Sequence, residues 1–242
     1  MEYFWDTSET IPKGVGFAHF STGHMIWLAV SVIVTVLCCL HYRRLSPRGR
    51  DVWRKAVAVL LIADELLKQI PLWTCGTFIL EYLPFHLCSI NIFFIVFHVI
   101  KPNKTVGNFL YAICIPGAIA ALLFPSWIKL PVMNFMYIHS FTLHILLIVY
   151  PAALVAGGDI KPRLKDLPKA MAMLLVMAVA LYFFNNAFDT NFFFLRTVGK
   201  SNPLYWFKAN WGNHLLGLPP IIAAVIAVMY TPIELYHSFK KK

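Results

Sequence analysis

The sequence predicts an all-α, polytopic membrane bundle of about seven transmembrane helices, N-terminus outside and C-terminus cytoplasmic. Three observations carry this. Apolar residues make up 59% of the 242-residue chain and charged residues 13%, a composition far from that of a soluble domain. Several separate apolar runs reach the roughly 20 residues that a helix needs to cross about 30 Å of hydrocarbon. The basic residues gather in alternate connections between those runs, as the positive-inside rule requires.

In chain order the runs cover residues 24–42, 53–73, 83–100, 106–124, 134–156, 170–188 and 213–237. Pro84, Pro116 and Pro219 fall near or inside them, where neighbouring helices tolerate a kink. The first connection holds Arg43, Arg44, Arg48, Arg50, Arg54 and Lys55, the third Lys101 and Lys104, and the fifth Lys161, Arg163, Lys165 and Lys169. The tail ends in Lys240, Lys241 and Lys242, whereas the alternate set holds only Lys13, Lys129, Arg196, Lys200 and Lys208. Only an odd helix count with the N-terminus outside puts every basic-rich segment on one side. Trp27, Trp73, Tyr82, Trp127, Trp206 and Trp211 sit near run ends, as interfacial belts do.

Residues 1–242 read as a single membrane domain, with no linker, low-complexity tract or internal repeat. The first 22 residues carry acids and no basic segment leading at once into an apolar core, so no cleavable signal peptide is expected and the first helix is the insertion signal. The net charge of +10 does not point to nucleic acid, because the basic residues lie in short loops instead of on one face of a soluble fold. The five cysteines lack the pairing of a disulfide framework or zinc site. The histidines lack H-x-x-x-H spacing, so no metal is expected.

The expected topology places the polar intramembrane residues by depth. His24, then Asp64, Glu65 and Lys68, then His86, Cys88 and Asn91, then His139 and His144, then Asn185 and Asn186, then His214 all fall in the outer half. Such groups are costly in a bilayer and face a bundle interior or a water-filled cavity. Two readings stand: a polar network gluing helices together, or a reaction or binding site. A thiol, several imidazoles and two carboxylates at one depth favour the site.

Cys88 alone reads as a small buried hydrophobe, but an imidazole at similar depth can take its proton. Asn91, at i+3, shares its face, while His86, two residues away, points nearly opposite and suits packing or substrate contact. His139 and His144 are separated by about 140° around a helix, so either can be the partner of Cys88, not both. Asp64 and Lys68, at i and i+4, can pair, and Glu65 can orient a histidine. Cys38, Cys39, Cys75 and Cys114 read as structural.

The stretch L-P-F-H-L-C-S-I at 83–90 resembles the signature of the YwaF-like family of bacterial membrane proteins. P-G-A-x-A-A-L-L-F-P at 116–125, F-x-Y-I-H-S-F-x-L-H at 135–144, N-N-A-F-D-T-N-F-F-F-L at 185–195 and G-N-H-L-L-G-L-P-P at 212–220 agree with it, so the likeness covers nearly the whole chain. The family tends to T-N-Y-M-x-L and a lysine-proline pair where this chain has Thr190 to Leu195, then Arg196 and Thr197. That family is similar to human transmembrane protein 164, regarded as a phospholipid acyltransferase with a membrane-embedded cysteine assisted by a histidine. The resemblance implies a transacylase in which Cys88 carries the acyl group and His144 (or His139) assists.

The expected reaction moves a fatty acyl group between membrane lipids through a thioester, with no soluble cofactor. Asn91, Asn185 and Asn186 are candidate oxyanion donors, and Asp64, Glu65, Lys68, His86 and Asn191 complete the expected substrate-binding set. A second class uses the same polar layer as the binding site of a lipid or small-molecule transporter, although no repeat or paired broken helices speak for it. The resemblance and the compact size imply a prokaryotic plasma membrane.

Overall fold

The computed structural model describes residues 2–240, with side chains through residue 235. Lys241 and Lys242 of the basic tail lie outside the described residues, as do the side chains of His237 and Lys240. Every regular element among the described residues is helical. They are α1 (Thr22–Arg44), α2 (Pro47–Thr74), α3 (Leu87–Ile100), α4 (Lys104–Phe109), α5 (Ile115–Leu123), α6 (Phe135–Gly157), α7 (Leu167–Phe188), α8 (Tyr205–Trp211) and α9 (Leu218–Lys240). A π turn, Leu110–Cys114, joins α4 to α5. It comes just before Pro116, which has no N–H to give the helical ladder.

Six segments are long and apolar enough to cross a membrane: Thr22–Arg44, Leu80–Ile100, Lys104–Leu123, Phe135–Gly157, Leu164–Phe188 and His214–Leu235. The expected second span is present as a 28-residue helix, α2, but it is not among the six, since Asp64, Glu65 and Lys68 interrupt its apolar run. The expected third helix begins later than its apolar run, at Leu87, because Pro84 lies in the turn before it. The last run splits into a 3-10 turn, His214–Gly217, and α9. The short helix α8 had no counterpart among the apolar runs.

Helix ends follow local chemistry. The Ser46 hydroxyl accepts from Gly49 N ahead of Pro47, and Asn103 accepts from Val106 N, each filling a position where the helix offers unpaired amides. Asn134 caps α6 by accepting from Met136 N and Tyr137 N, and Gly158 closes it at φ 81°, a left-handed conformation that suits glycine.

Helix α6 forms the axis. It packs against α1, α2, α3 and α5, and Tyr137, Phe141, Leu147, Tyr150 and Leu154 along it are fully buried. On the outside of the bundle, α1 leaves Val32, Ile33 and Leu37 exposed and α7 leaves Leu175, Val176 and Phe183 exposed. An apolar solvent costs nothing for such residues, so these faces suit lipid.

Two clamps close the ends. At one, the N-terminal segment lies on the α5–α6 connection: Asn134 Nδ2 donates to Tyr3 O and Asp6 O, and Phe17 N donates to Ile128 O at 2.9 Å. There Gly16 runs so close to the connection that a Cβ would come within 2.1 Å of Ile128 O. At the other, the Tyr42 hydroxyl donates to Asp159 at 2.5 Å and Arg50 donates to Gly157 O at 2.8 Å.

Candidate functional site

The polar residues of α2, α3 and α6 meet at the end of the bundle that carries the N-terminal segment. On α2, Glu65 pairs with Lys68 three residues on, and both are buried, at 9% and 7% exposure. Asp64 turns the other way, its Oδ2 lying 2.9 Å from His139 Nδ1 on α6, an ion-pair distance without the alignment of a hydrogen bond. The sequence allowed Asp64 to pair with Lys68 and Glu65 to orient a histidine; the structure exchanges these partners. The reason is that α2 packs against both α3 and α6, so successive residues on α2 face different neighbours. Thr142 Oγ1 donates weakly to the other Asp64 oxygen at 3.4 Å.

Cys88 is the second residue of α3, after His86 as N-cap. Its amide and those of Leu87 and Ser89 belong to the first turn, whose N–H groups have no intrahelical acceptor; the helical ladder starts with Ile90 N donating to His86 O. Ser89 Oγ donates to Glu65 Oε2 at 3.3 Å, which binds the first turn of α3 to the α2 ion pair. Cys88 packs against the core cluster that includes Cys114 of the π turn, and Cys114 Sγ donates to Leu147 O of α6 at 3.4 Å. His144, one turn before Leu147, therefore lies close to this level.

His144 is 6% exposed and stacks on Trp127 with ring centroids 5.3 Å apart. Its Nδ1 is 2.6 Å from Ser140 O. A carbonyl only accepts, so Nδ1 carries the proton and Nε2 the lone pair. Several buried polar atoms in this region have no protein partner: Asn91 Oδ1, Trp127 Nε1 and Tyr137 Oη, besides the unaligned Asp64 and His139 atoms. Buried polar groups without a partner are uncommon and mark places that a water or ligand completes.

The remaining expected residues occupy the neighbouring loop. Asn185 is fully buried; its Oδ1 accepts from Phe192 N and Thr190 Oγ1, and its Nδ2 donates to Phe192 O. Asn191 accepts from Arg196 N and Thr197 N and donates to Thr197 O. Asn186 is exposed and donates to Tyr182 O. Asn185 and Asn191 are thus engaged in holding the loop. His86 packs edge-on against Phe192 at 4.9 Å, so the loop borders the layer through that ring. His24 donates from Nε2 to Leu122 O at 2.7 Å and accepts from Phe20 N at 2.9 Å, while His214 contacts Phe194 O at 2.8 Å; both have backbone partners.

Sequence reasoning passed over Ser89, Trp127 and the α3 first-turn amides. Ser89 stood beside Cys88 in the 83–90 motif, but nothing in the spacing revealed its bond to Glu65. A cleft of about 450 Å³ lined by Phe124, Lys200, Tyr205 and Trp206 includes neither Cys88 nor a histidine. Among the described residues no group of three or more His, Cys, Asp or Glu side chains is arranged to hold a metal ion.

Comparison with known proteins gives one match: the family model described as the TMEM164 family matches residues 19–230, most of the chain. No curated protein and no solved structure matches. With six apolar helices, the match makes this a multi-pass membrane protein.

Proposed function

We propose that this chain, which belongs to the TMEM164 family, transfers fatty acyl groups between membrane lipids through a thioester on Cys88. The observation that carries the reading is the setting of Cys88: a partly buried thiol in the first turn of α3, beside Ser89, whose hydroxyl reaches the Glu65–Lys68 pair. Membership of the family supports a membrane protein; the chemistry is inferred from the site.

In the first half-reaction the Cys88 sulfur attacks an ester carbonyl of a phospholipid, its proton passing to His144 Nε2. The amides of Cys88 and Ser89 are the donors available to the resulting oxyanion, a role that backbone N–H groups at a helix start are suited to. The tetrahedral intermediate then expels the lysolipid oxygen, which takes the proton back from the imidazolium. In the second half-reaction His144 removes the proton of an acceptor hydroxyl, whose oxygen attacks the thioester; the C–S bond breaks and the departing Cys88 sulfur takes the proton back from the imidazolium. Atoms and charges balance without a cofactor. His139, held at Asp64, is the other base in reach of the layer.

The same proposal has α2 as a seventh span, with its charged residues turned to α3 and α6, the N-terminus outside and the site in the outer half of the bilayer. The transporter reading uses the unpartnered Asn91, Trp127 and Tyr137 atoms as binding groups. The test is acyl exchange in proteoliposomes holding a labelled phospholipid and an unlabelled lysolipid. Transfer that Cys88→Ala abolishes supports the enzyme; undiminished transfer in Cys88→Ala overturns it.

A further inference from the structure

We infer that the cleft between α8 and the end of α5 binds the headgroup of an anionic phospholipid, whose phosphate pairs with Lys200. The cleft includes neither Cys88 nor a histidine, so the inference goes beyond the proposed acyl transfer and does not depend on it.

The position of the cleft follows from the crossings of the chain. Lys104–Leu123, Phe135–Gly157 and Leu164–Phe188 are consecutive spans, so Leu123 and Phe188 end at the same face of the membrane. The next span starts at His214, which keeps residues 189–213 at that face. Phe124, just past the first of these spans, lines one space of about 450 Å³ with Lys200, Ser201, Asn202, Tyr205 and Trp206 of the connection, a volume that suits a small polar ligand. Helix α8 is fixed there. Its Phe207 ring lies so close to Gly217 that a Cβ on the glycine would come within 2.3 Å of it, and Trp211 meets the same ring edge-on with centroids 4.9 Å apart. Trp206 and Trp211 remain exposed, as tryptophans at a membrane interface do.

Charge selects the occupant. Of the four charged residues in the connection, Arg196 pairs with Asp189, while Lys200 and Lys208 have no acidic partner among the described residues. Lys200 lines the cleft, and no acidic residue does. A zwitterionic headgroup carries a cation for which this lining offers no carboxylate; an anionic headgroup brings the phosphate without it. Ser201 adds a hydroxyl, and Asn202, whose Oδ1 accepts from Leu204 N, keeps its Nδ2 as a donor to phosphate oxygens. Phe124 and Trp206 supply an apolar wall for the carbons below the headgroup.

Lys208, outside the cleft, supplies the control. The full chain is reconstituted in phosphatidylcholine nanodiscs with or without phosphatidylglycerol. Its amines are acetylated by a water-soluble N-hydroxysuccinimide ester, and Lys200 and Lys208 are followed by peptide mass. A negative membrane surface slows both amines alike, because it raises the local proton concentration; a phosphate in the cleft slows Lys200 alone. Phosphatidylglycerol is expected to slow Lys200 by about fivefold more than Lys208. Ala209 also lines the cleft, and Ala209→Phe, which fills it, is expected to abolish that difference. Glycerol phosphate in solution over phosphatidylcholine nanodiscs is expected to protect neither lysine. Equal rates for Lys200 with and without phosphatidylglycerol, or equal slowing of Lys200 and Lys208, overturns the inference. So does a difference that survives in folded Ala209→Phe, or protection of Lys200 by glycerol phosphate as strong as by the lipid. If Ala209→Phe does not fold, the two lysines of the native chain decide. Cys88 takes no part in the labelling, so protection of Lys200 stands if acyl transfer fails, and acyl transfer stands if Lys200 is unprotected.

Discussion

Asp64 and His139 face each other across the α2–α6 interface at 2.9 Å, with the imidazole buried and the carboxylate partly exposed. The contact joins the helix that carries Asp64, Glu65 and Lys68 to the helix that packs against α1, α2, α3 and α5. It also leaves Glu65 free to take Lys68 and Ser89.

Replacing Asp64 by alanine removes the one acid beside His139 Nδ1. Asp64→Ala and His139→Ala are expected to couple by about 0.5–2 kcal/mol in a double-mutant cycle, the range of polar contacts between membrane helices. The measurement is thermal or denaturant unfolding in detergent. Additive effects would show that the two side chains do not interact.

Two of the buried histidines with carbonyl partners, His144 and His24, should separate by phenotype. His144→Gln keeps most of the side-chain volume but loses the basic nitrogen, and acyl transfer should fall by about 10²–10⁴-fold with little change in the unfolding midpoint. His24→Ala loses bonds to Phe20 N and Leu122 O and should cost about 2–4 kcal/mol of stability. The activity per folded molecule should survive. A stable, inactive His24→Ala would place His24 in the reaction.

Asn134 both caps α6 and holds the N-terminal segment. Asn134→Ala should release that segment, seen as faster proteolysis before Phe17, and should lower stability by about 1–3 kcal/mol. Unchanged protection of the segment would mean that the Phe17–Ile128 contact suffices.

The seven-span arrangement predicts which side each loop faces. Cys75, exposed after α2, should react with a membrane-impermeant maleimide on intact right-side-out cells. Ser46→Cys, in the basic connection before α2, should react only after permeabilisation. Labelling of both from one side would remove α2 from the membrane.

The helices were legible because apolar runs and flanking prolines and basic residues are local signals, and helices are what a bilayer permits. Their ends were less so. The helix of residues 83–100 starts only at Leu87, because Pro84 breaks the run ahead of a still apolar stretch. That shift moves Cys88 from the body of a helix to its first turn, with different chemistry. On the candidate layer, azimuth was not readable from the sequence. Spacing pointed Asp64 at Lys68 and Glu65 at a histidine; the reversed pairing depends on which of α3 and α6 each face of α2 meets. Asn185 and Asn191 looked free in the sequence because their partners are backbone groups of residues 190–197, which no side-chain pattern reveals.

The most direct test of the central claim is intact-protein mass after incubation with a defined phospholipid and no acceptor, beside Cys88→Ala. The account predicts an added acyl mass that hydroxylamine removes and that Cys88→Ala lacks. No adduct on the native protein, with intact phospholipid bound instead, would contradict it and leave the layer as a binding site.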